Sequence, residues 1–398
     1  MAAGELGLDL APMEESAKVR VEECVRRHRD ELVDLSHRLH DHPELGFEET
    51  RAVSWVAEPL ERSAFAVVKG ICNLPTAFIA TSGSGALTVA ICAEYDALPG
   101  MGHACGHNVI AAAAVGAGIA LAEVAGDLGI TVKVLGTPAE EGGGGKIIML
   151  EGGAFDGIHA ALMVHPGPVE QVQLECLAAS HFAVRYTGKA AHASGHPEEG
   201  INAADAVTVA QVAIGLIRQH LPEGSRVHGI VRRGGEAANV VPAFAEVEYF
   251  VRAPTIAQLA EVEPQVMRCF EAGAIATGAA WEVVPLGPVY SEFRPDPDMQ
   301  GAWRRNAETL GRTFPDAPTT PMSTDMANVS LAIPAIHPML GIGSLPAVNH
   351  QPEFATAAVS AEADKAIVDG AIAMAWTAID LATNPKVRER LLAGQRGG

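Results

Sequence analysis

AICAEYDALPGMGHACGHNVI, residues 90–110, decides the reading of this chain. A largely apolar run, Ala86 to Cys92, reads as a buried strand and gives way to a carboxylate pair, Glu94 and Asp96. A Pro-Gly turn follows, then His103, Cys105 and His107 at alternate positions, and Asn108 opens an apolar helix. Five ligand-capable side chains therefore stand just past the end of one strand, where open α/β sheets bind ligands. Thiolate, imidazole and carboxylate are the donors that borderline metals choose. One Cys-x-His alone is as readily a buried thiol beside a capping histidine; the neighbouring carboxylates favour a metal site, with His103 the less well placed of the histidines.

Working outward, residues 14–40 carry helical periodicity, and HDHPELGFEET (40–50) turns and starts a second helix with Glu48 and Glu49 in its first turn. A strand pair is expected within 64–80, and helix 108–126 after the ligand loop. GITVKVLG (129–136) is another buried strand, ending in TPAEEGGGGK. Adjacent carboxylates could simply be solvated at a helix start. Between a buried strand and four glycines a split role fits better, with Glu141 binding metal and Glu140 carrying a proton from water to the leaving amine. The glycines are expected to let the backbone pass close to whatever is bound. HAALMVH (159–165) is a third such strand, and His165 at its end reads as a ligand. Strands alternating with helices argue a parallel-rich α/β sheet with helices on both faces.

The pattern changes near 177. Strand (178–188), loop, helix (201–221), strands (226–235 and 244–253), helix (255–274) and strand (280–287) follow the order of a ferredoxin-like α+β domain. Buried-strand character returns in AIPAIHPMLGIG (332–343), and helix 357–383 closes the fold before AGQRGG, expected to fray. The expected organisation is a catalytic domain over 1–176 and 289–398 with a lid and dimerisation domain, 177–288, inserted in it.

Composition narrows the function. A chain of 398 residues with 48% apolar residues can bury large cores. A net charge of −20 argues against nucleic acid and anionic membrane as partners. The longest apolar run, Val109–Ala122, is shorter than the roughly 20 residues a membrane span needs. The N-terminus has neither a basic nor an extended apolar region, so no signal peptide is expected, and six scattered cysteines read as free thiols in a cytoplasmic protein. Taken alone, His350 would be an ordinary surface residue, Arg252 a surface charge, and His192 and Asn239 lie too far away in sequence to place by pattern.

AEYDALPGMGHACGHN, GTPAEEGGGGK, MVHPG, GKAAHAS, NVVP, YFVRAPT and STDMANVS…GIGSLPAVNHQPEF occur in an order that resembles peptidase family M20. Within it the chain is similar to the amidohydrolase branch that holds p-aminobenzoyl-glutamate hydrolase and β-alanyl-lysine dipeptidase. The resemblance spans roughly 30–385. It implies two divalent metal ions, Zn or Mn with Co or Ni as further options, held by Cys105, His107, Glu141, His165 and His350. It makes Glu140 the general acid/base and Asp96 the residue that orients a ligand. It implies that His192, from a partner subunit's lid, polarises the scissile carbonyl, while Asn239 and Arg252 hold the substrate. Two departures stand out: Glu94 occupies a position where much of the family has His, and Asn108 one where the branch commonly has Asp.

The resulting expectation is a homodimeric metallohydrolase acting on a small molecule, a dipeptide or an N-acyl or aroyl amino acid with a free carboxylate. The short loop between Asp96 and Cys105 favours small substrates. A zinc nucleobase deaminase would need a C-x-x-C, which the chain lacks. A thiol hydrolase would need Cys105 free of metal. A non-catalytic binding protein of the same fold is the alternative outside enzymology.

Overall fold

The computed structural model describes residues 10–315 and 322–394. Residues 1–9, on which part of the leader reading rests, and 395–398, within the stretch expected to fray, lie outside them. The chain forms two compact units: Met1–Glu175 with Phe293–Thr320 and Asn328–Gly398, and Cys176–Glu292 with Pro321–Ala327.

The first unit carries strands β1 (Ala66–Lys69), β2 (Phe78–Gly83), β3 (Leu87–Ala93), β4 (Ile130–Gly136), β5 (Ala160–Leu162) and β6 (His165–Gly167). The second holds β7 (Ala178–Thr187), β8 (Arg226–Arg233), β9 (Phe244–Ala253) and β10 (Ala280–Pro285); β11 (Ala335–Ile336) and β12 (Met339–Gly341) return to the first. Six of these strands form one sheet in the order β1-β2-β4-β3-β5-β11. β4, β3, β5 and β11 are mutually parallel, and β1 and β2 add an antiparallel edge. The chain leaves β3 to one side for β4 and then crosses to the other for β5. Such a reversal opens a crevice at the carboxyl ends of the strands.

Helix His107–Ala122 is buried along residues 107–121, as its alanine-rich, all-round apolar sequence requires. It packs against helices Leu10–Arg27, Arg29–Asp41 and Ala361–Thr383. Ala361–Thr383 is long and apolar enough to cross a membrane, but 94% of its apolar window is buried inside the protein, so it is a core helix.

Several boundaries differ from the sequence reading for local reasons. The helix expected over 14–40 is interrupted at His28, whose ring Nδ1 lies 2.9 Å from the same Cys24 carbonyl that its own N–H reaches at 3.1 Å. The helix expected over 108–126 ends at Ala122 and restarts as Ala125–Leu128. Strands 159–165 and 332–343 each split in two, although their parallel register is unbroken from Ala335↔Ala161 to Met339↔His165. Pro338 lies in the gap and has no N–H to give the ladder. Glu49 is not a solvated first-turn acid. It sits at the N-cap of Thr50–Arg62, is fully buried, and accepts the Ala139 N–H at 2.8 Å.

In the second unit the strand order β10-β7-β9-β8, all antiparallel, is that of the expected ferredoxin-like fold. Helices Ala203–Ile217 and Ile256–Thr277 cover one face. Strand β9 shows the rule of alternation: Ala245, Val247, Tyr249, Val251 and Ala253 enter the core, while Glu246, Glu248, Phe250 and Arg252 face away.

Candidate metal centre

Loops leaving β3 and β4, the start of β6, and the loop after β12 bring the first unit's polar residues together. Gly106 makes the first of these junctions possible. Its φ is +80°, and a Cβ there would stand 2.4 Å from Pro166 Cγ, so only glycine lets the Cys105–His107 loop meet the His165 strand. The donor atoms of Cys105, His107 and His165 form one group, and those of Cys105, Glu141 and His350 another, each within 4.8 Å. A third such group joins His107, Glu140 and Glu141.

The second ring nitrogens of His107 and His165 are held. His107 donates through Nδ1 to Asp96 Oδ1 at 3.0 Å, which turns Nε2 to the cluster. The other Asp96 oxygen accepts the Glu141 N–H at 2.9 Å, so one carboxylate orients two ligands. His165 donates through Nδ1 to the Pro166 carbonyl at 2.7 Å, leaving Nε2 3.5 Å from Cys105 Sγ. His350, with φ +69°, is fixed by its N–H on the Ala104 carbonyl. Asn349 beside it donates to the carbonyls of Cys105 and Pro166 and so ties three ligand loops together. No pattern in the sequence gives Asn349 this role; its carbonyl partners are visible only in the fold.

The inward atoms fit a cation. His107 Nε2 lies 3.4 Å from Glu94 Oε2 and 3.9 Å from Glu141 Oε1, which is 3.3 Å from His350 Nε2. All but the His350 nitrogen are buried without a hydrogen-bond partner among the described residues. Donors around one tetrahedral ion with bonds of about 2.0–2.3 Å stand roughly 3.3–3.8 Å apart. Electrostatics agree. Burial pushes the Cys105 thiol well up, and the Glu141 carboxylate adds to this, so only added positive charge makes it a thiolate. Burial opposes ionisation of Asp96, but the His107 ring, the Glu141 N–H and Lys146 outweigh it and hold the carboxyl below its ordinary value.

Two features were not foreseen. Lys146, the residue closing GGGGK, is fully buried and donates to Glu94 Oε1. The Glu94 carboxylate is therefore charge-compensated by an internal lysine. Two of the glycines before it are required by the loop: a Cβ on Gly145 would lie 1.8 Å from the Pro138 carbonyl oxygen, and one on Gly143 2.7 Å from Ala139 Cβ. His337 is the second. It is fully buried, its ring centroid is 5.5 Å from that of His165, and neither nitrogen has a hydrogen-bond partner among the described residues. Burial, with His165, Lys146 and His107 nearby, holds it neutral, well below its ordinary value. His103 is buried and stacks on His40 rather than joining a ligand group among the described residues. Asn108 is also remote: its amide donates to Ser36 Oγ and the Ala358 carbonyl, a task an ionised Asp could not perform.

His192, Asn239 and Arg252 belong to the second unit. His192 is exposed, and its Nδ1 accepts the Gly195 N–H at 3.0 Å, which leaves the proton of the neutral ring on Nε2. The Asn239 carbonyl accepts the Ala193 N–H, joining the two loops. Arg252 donates to Ser323 Oγ at 2.6 Å and lies over the Phe250 ring. Among the described residues Arg252 forms no salt bridge with Glu248, which accepts from Arg232 and pairs with His181.

Residues 90–371 match peptidase family M20/M25/M40. The chain belongs to that family. It is 38% identical to the Xaa-Arg dipeptidase of Mus musculus over 97% of its own length and 93% of that protein. It is 35% identical to a p-aminobenzoyl-glutamate hydrolase component of Escherichia coli, over 65% and 58% of the two chains. A Bacillus subtilis structure described as a dinuclear metal-binding peptidase of family M20 shares the fold with a TM-score of 0.69 and 24% identity, covering 89% of this chain and 99% of its own. The M20 protein is thus a metal-dependent hydrolase of amide bonds.

Proposed function

We propose that this hydrolase cleaves dipeptides or N-acyl amino acids that carry a free carboxylate, using two divalent ions of the Zn or Mn type. The observation that carries the proposal is that Cys105 belongs to two donor groups, one with His107 and His165 and one with Glu141 and His350, while His107 and Glu141 also meet in a third with Glu140. Five donors exceed the four that one tetrahedral ion takes. When bound, the ions supply Lewis acidity that polarises the amide carbonyl and makes nearby water acidic.

The chain's own residues do the rest. Glu140 takes the proton of the attacking water and returns it to the leaving amine. Asp96 holds His107 and Glu141 in place. His192, with Nε2–H outward, donates to the carbonyl oxygen as negative charge develops there. Arg252 and Asn239 take the substrate's carboxylate; guanidinium and carboxylate match as a planar fork. Likeness to Xaa-Arg dipeptidases along nearly the whole of both chains favours a dipeptide, and the net charge of −20 suits a basic one. The same reading makes the protein a cytoplasmic homodimer, with His192 acting across the dimer interface. Edge strand β8, together with exposed Val212 and Leu216 on helix Ala203–Ile217, is the proposed contact.

A panel of Xaa-Arg, aroyl-glutamate and N-acyl amino acids, each with its methyl ester, tests the substrate. Blocking the carboxylate should cost about 2–4 kcal/mol in kcat/KM, and Arg252→Ala should erase that difference. Equal rates on acids and esters would refute the clamp. Mixing inactive His192→Ala with inactive Glu140→Gln should restore activity if His192 works in trans. No recovery after verified exchange of protomers would place it in its own protomer's site.

A further inference from the structure

His337 has no assigned task, and its surroundings make that costly. It occupies the interruption between β11 and β12, beside Pro338, with His165 on one side (5.5 Å between ring centroids) and Phe293 on the other (6.1 Å). The ring is 2% exposed, and no protein group among the described residues partners Nδ1 or Nε2. Buried imidazoles are normally hydrogen-bonded, because an orphaned donor or acceptor forfeits its hydration for nothing. The neighbours cannot supply the bond. His165 spends Nδ1 on the Pro166 carbonyl and turns Nε2 to Cys105, and Lys146 is engaged with Glu94. No cation-binding group among the described residues includes His337, so it is not a ligand by position. An apolar ring would fill the same space without the cost.

We propose that His337 is a further catalytic-site residue, whose imidazole hydrogen-bonds the oxygen of the amide carbonyl under attack. The proposal rests on the hydrolytic reading of the cluster. Within that reading a donor beside ligand His165 meets an acceptor only when substrate enters, and the bond strengthens as the oxygen gains charge. Such a residue is retained at the expense of the empty protein's stability.

His337→Phe and His337→Leu keep an apolar filling and remove both hydrogen-bonding atoms. Three readouts are taken on each: melting of the metal-free protein, bound metal, and kinetics on the dipeptide panel. The expected result is an unchanged or raised melting temperature, unchanged metal content and a kcat lowered about 10²-fold, with His337→Asn, which keeps a donor, recovering part of the loss. A kcat within twofold of wild type in both variants would overturn the proposal. So would a lowered melting temperature or lost metal in both, since these mark a packing residue or a ligand. If wild type itself hydrolyses no amide, the hydrolytic reading has failed. In that case a raised melting temperature of the metal-free variants still supports an uncommitted ring, and a lowered one refutes it.

Discussion

Most candidate residues of the first unit are held in the opposite way to those of the second, exposed His350 being the exception. In the first unit, Cys105, His107 and His165 are buried, and Asp96, Pro166 and Asn349 fix the parts of the ligand loops that do not face the cluster. In the second, His192 and Asn239 are exposed on joined loops, and Arg252 rests on Ser323 and Phe250. The first arrangement is preorganised: its geometry is set before anything binds. The second presents a donor and a guanidinium to something that must arrive. Burial is the physical difference, because only a buried group must have its bonds supplied by the fold itself.

The largest expected effect separates two adjacent residues of the preorganised cluster. Glu140→Gln should retain metal and lose kcat by about 10²–10⁴-fold, the usual worth of a general acid/base. Glu141→Gln should lose metal. Swapped phenotypes, read by metal analysis and steady-state kinetics, would reverse the assignment.

A smaller effect tests whether preorganisation rests on Asp96. Asp96→Asn replaces one acceptor oxygen by a donor, so the His107 and Glu141 contacts cannot both survive. Metal affinity should fall about 10–100-fold, whereas Arg252→Ala should leave it unchanged. Equal metal affinity in the Asp96 variant and wild type would remove the distinction drawn between the units.

The smallest effect concerns Glu49, which braces the backbone just before Glu140. Its carboxyl is raised from 4.5 to about 7, chiefly by burial. Between these values the folded protein keeps a proton that the unfolded chain has released. Glu49 therefore stabilises the fold most below about pH 4.5, and that contribution is lost as pH rises to about 7. Glu49→Gln keeps an acceptor for the Ala139 N–H and should flatten this part of the stability profile. An unchanged slope in denaturant melts at pH 5, 6 and 7 would show that Glu49 is not its source.

What could be read from the chain follows the same physical line. The strands that carry the cluster were legible because a parallel strand buried on both faces is a continuous apolar run, and its end is abrupt. The ferredoxin-like unit was legible because its sheet alternates, as β9 does residue by residue. The splitting of 159–165 was not, because Pro338, which breaks it, lies more than 170 residues away in the partner strand. Lys146 was hidden for another reason. A lysine after four glycines looks solvated, and only the fold shows it turned inward onto Glu94. Asn108 looked like a departure from its family's pattern; the two acceptors facing its amide explain the choice. His337 carried no local signal, since its meaning lies in the partners it lacks.

The central claim is that five residues, sharing Cys105, hold two ions on which hydrolysis depends. An anomalous-scattering map from crystals of the active protein, collected at the edge of the metal found by elemental analysis, addresses it directly. The account predicts two peaks per chain, roughly 3.5–4 Å apart as in other two-metal sites, with Cys105 next to both. A protein that hydrolyses its dipeptide at full rate with no peak among Cys105, His107, Glu141, His165 and His350 would contradict it.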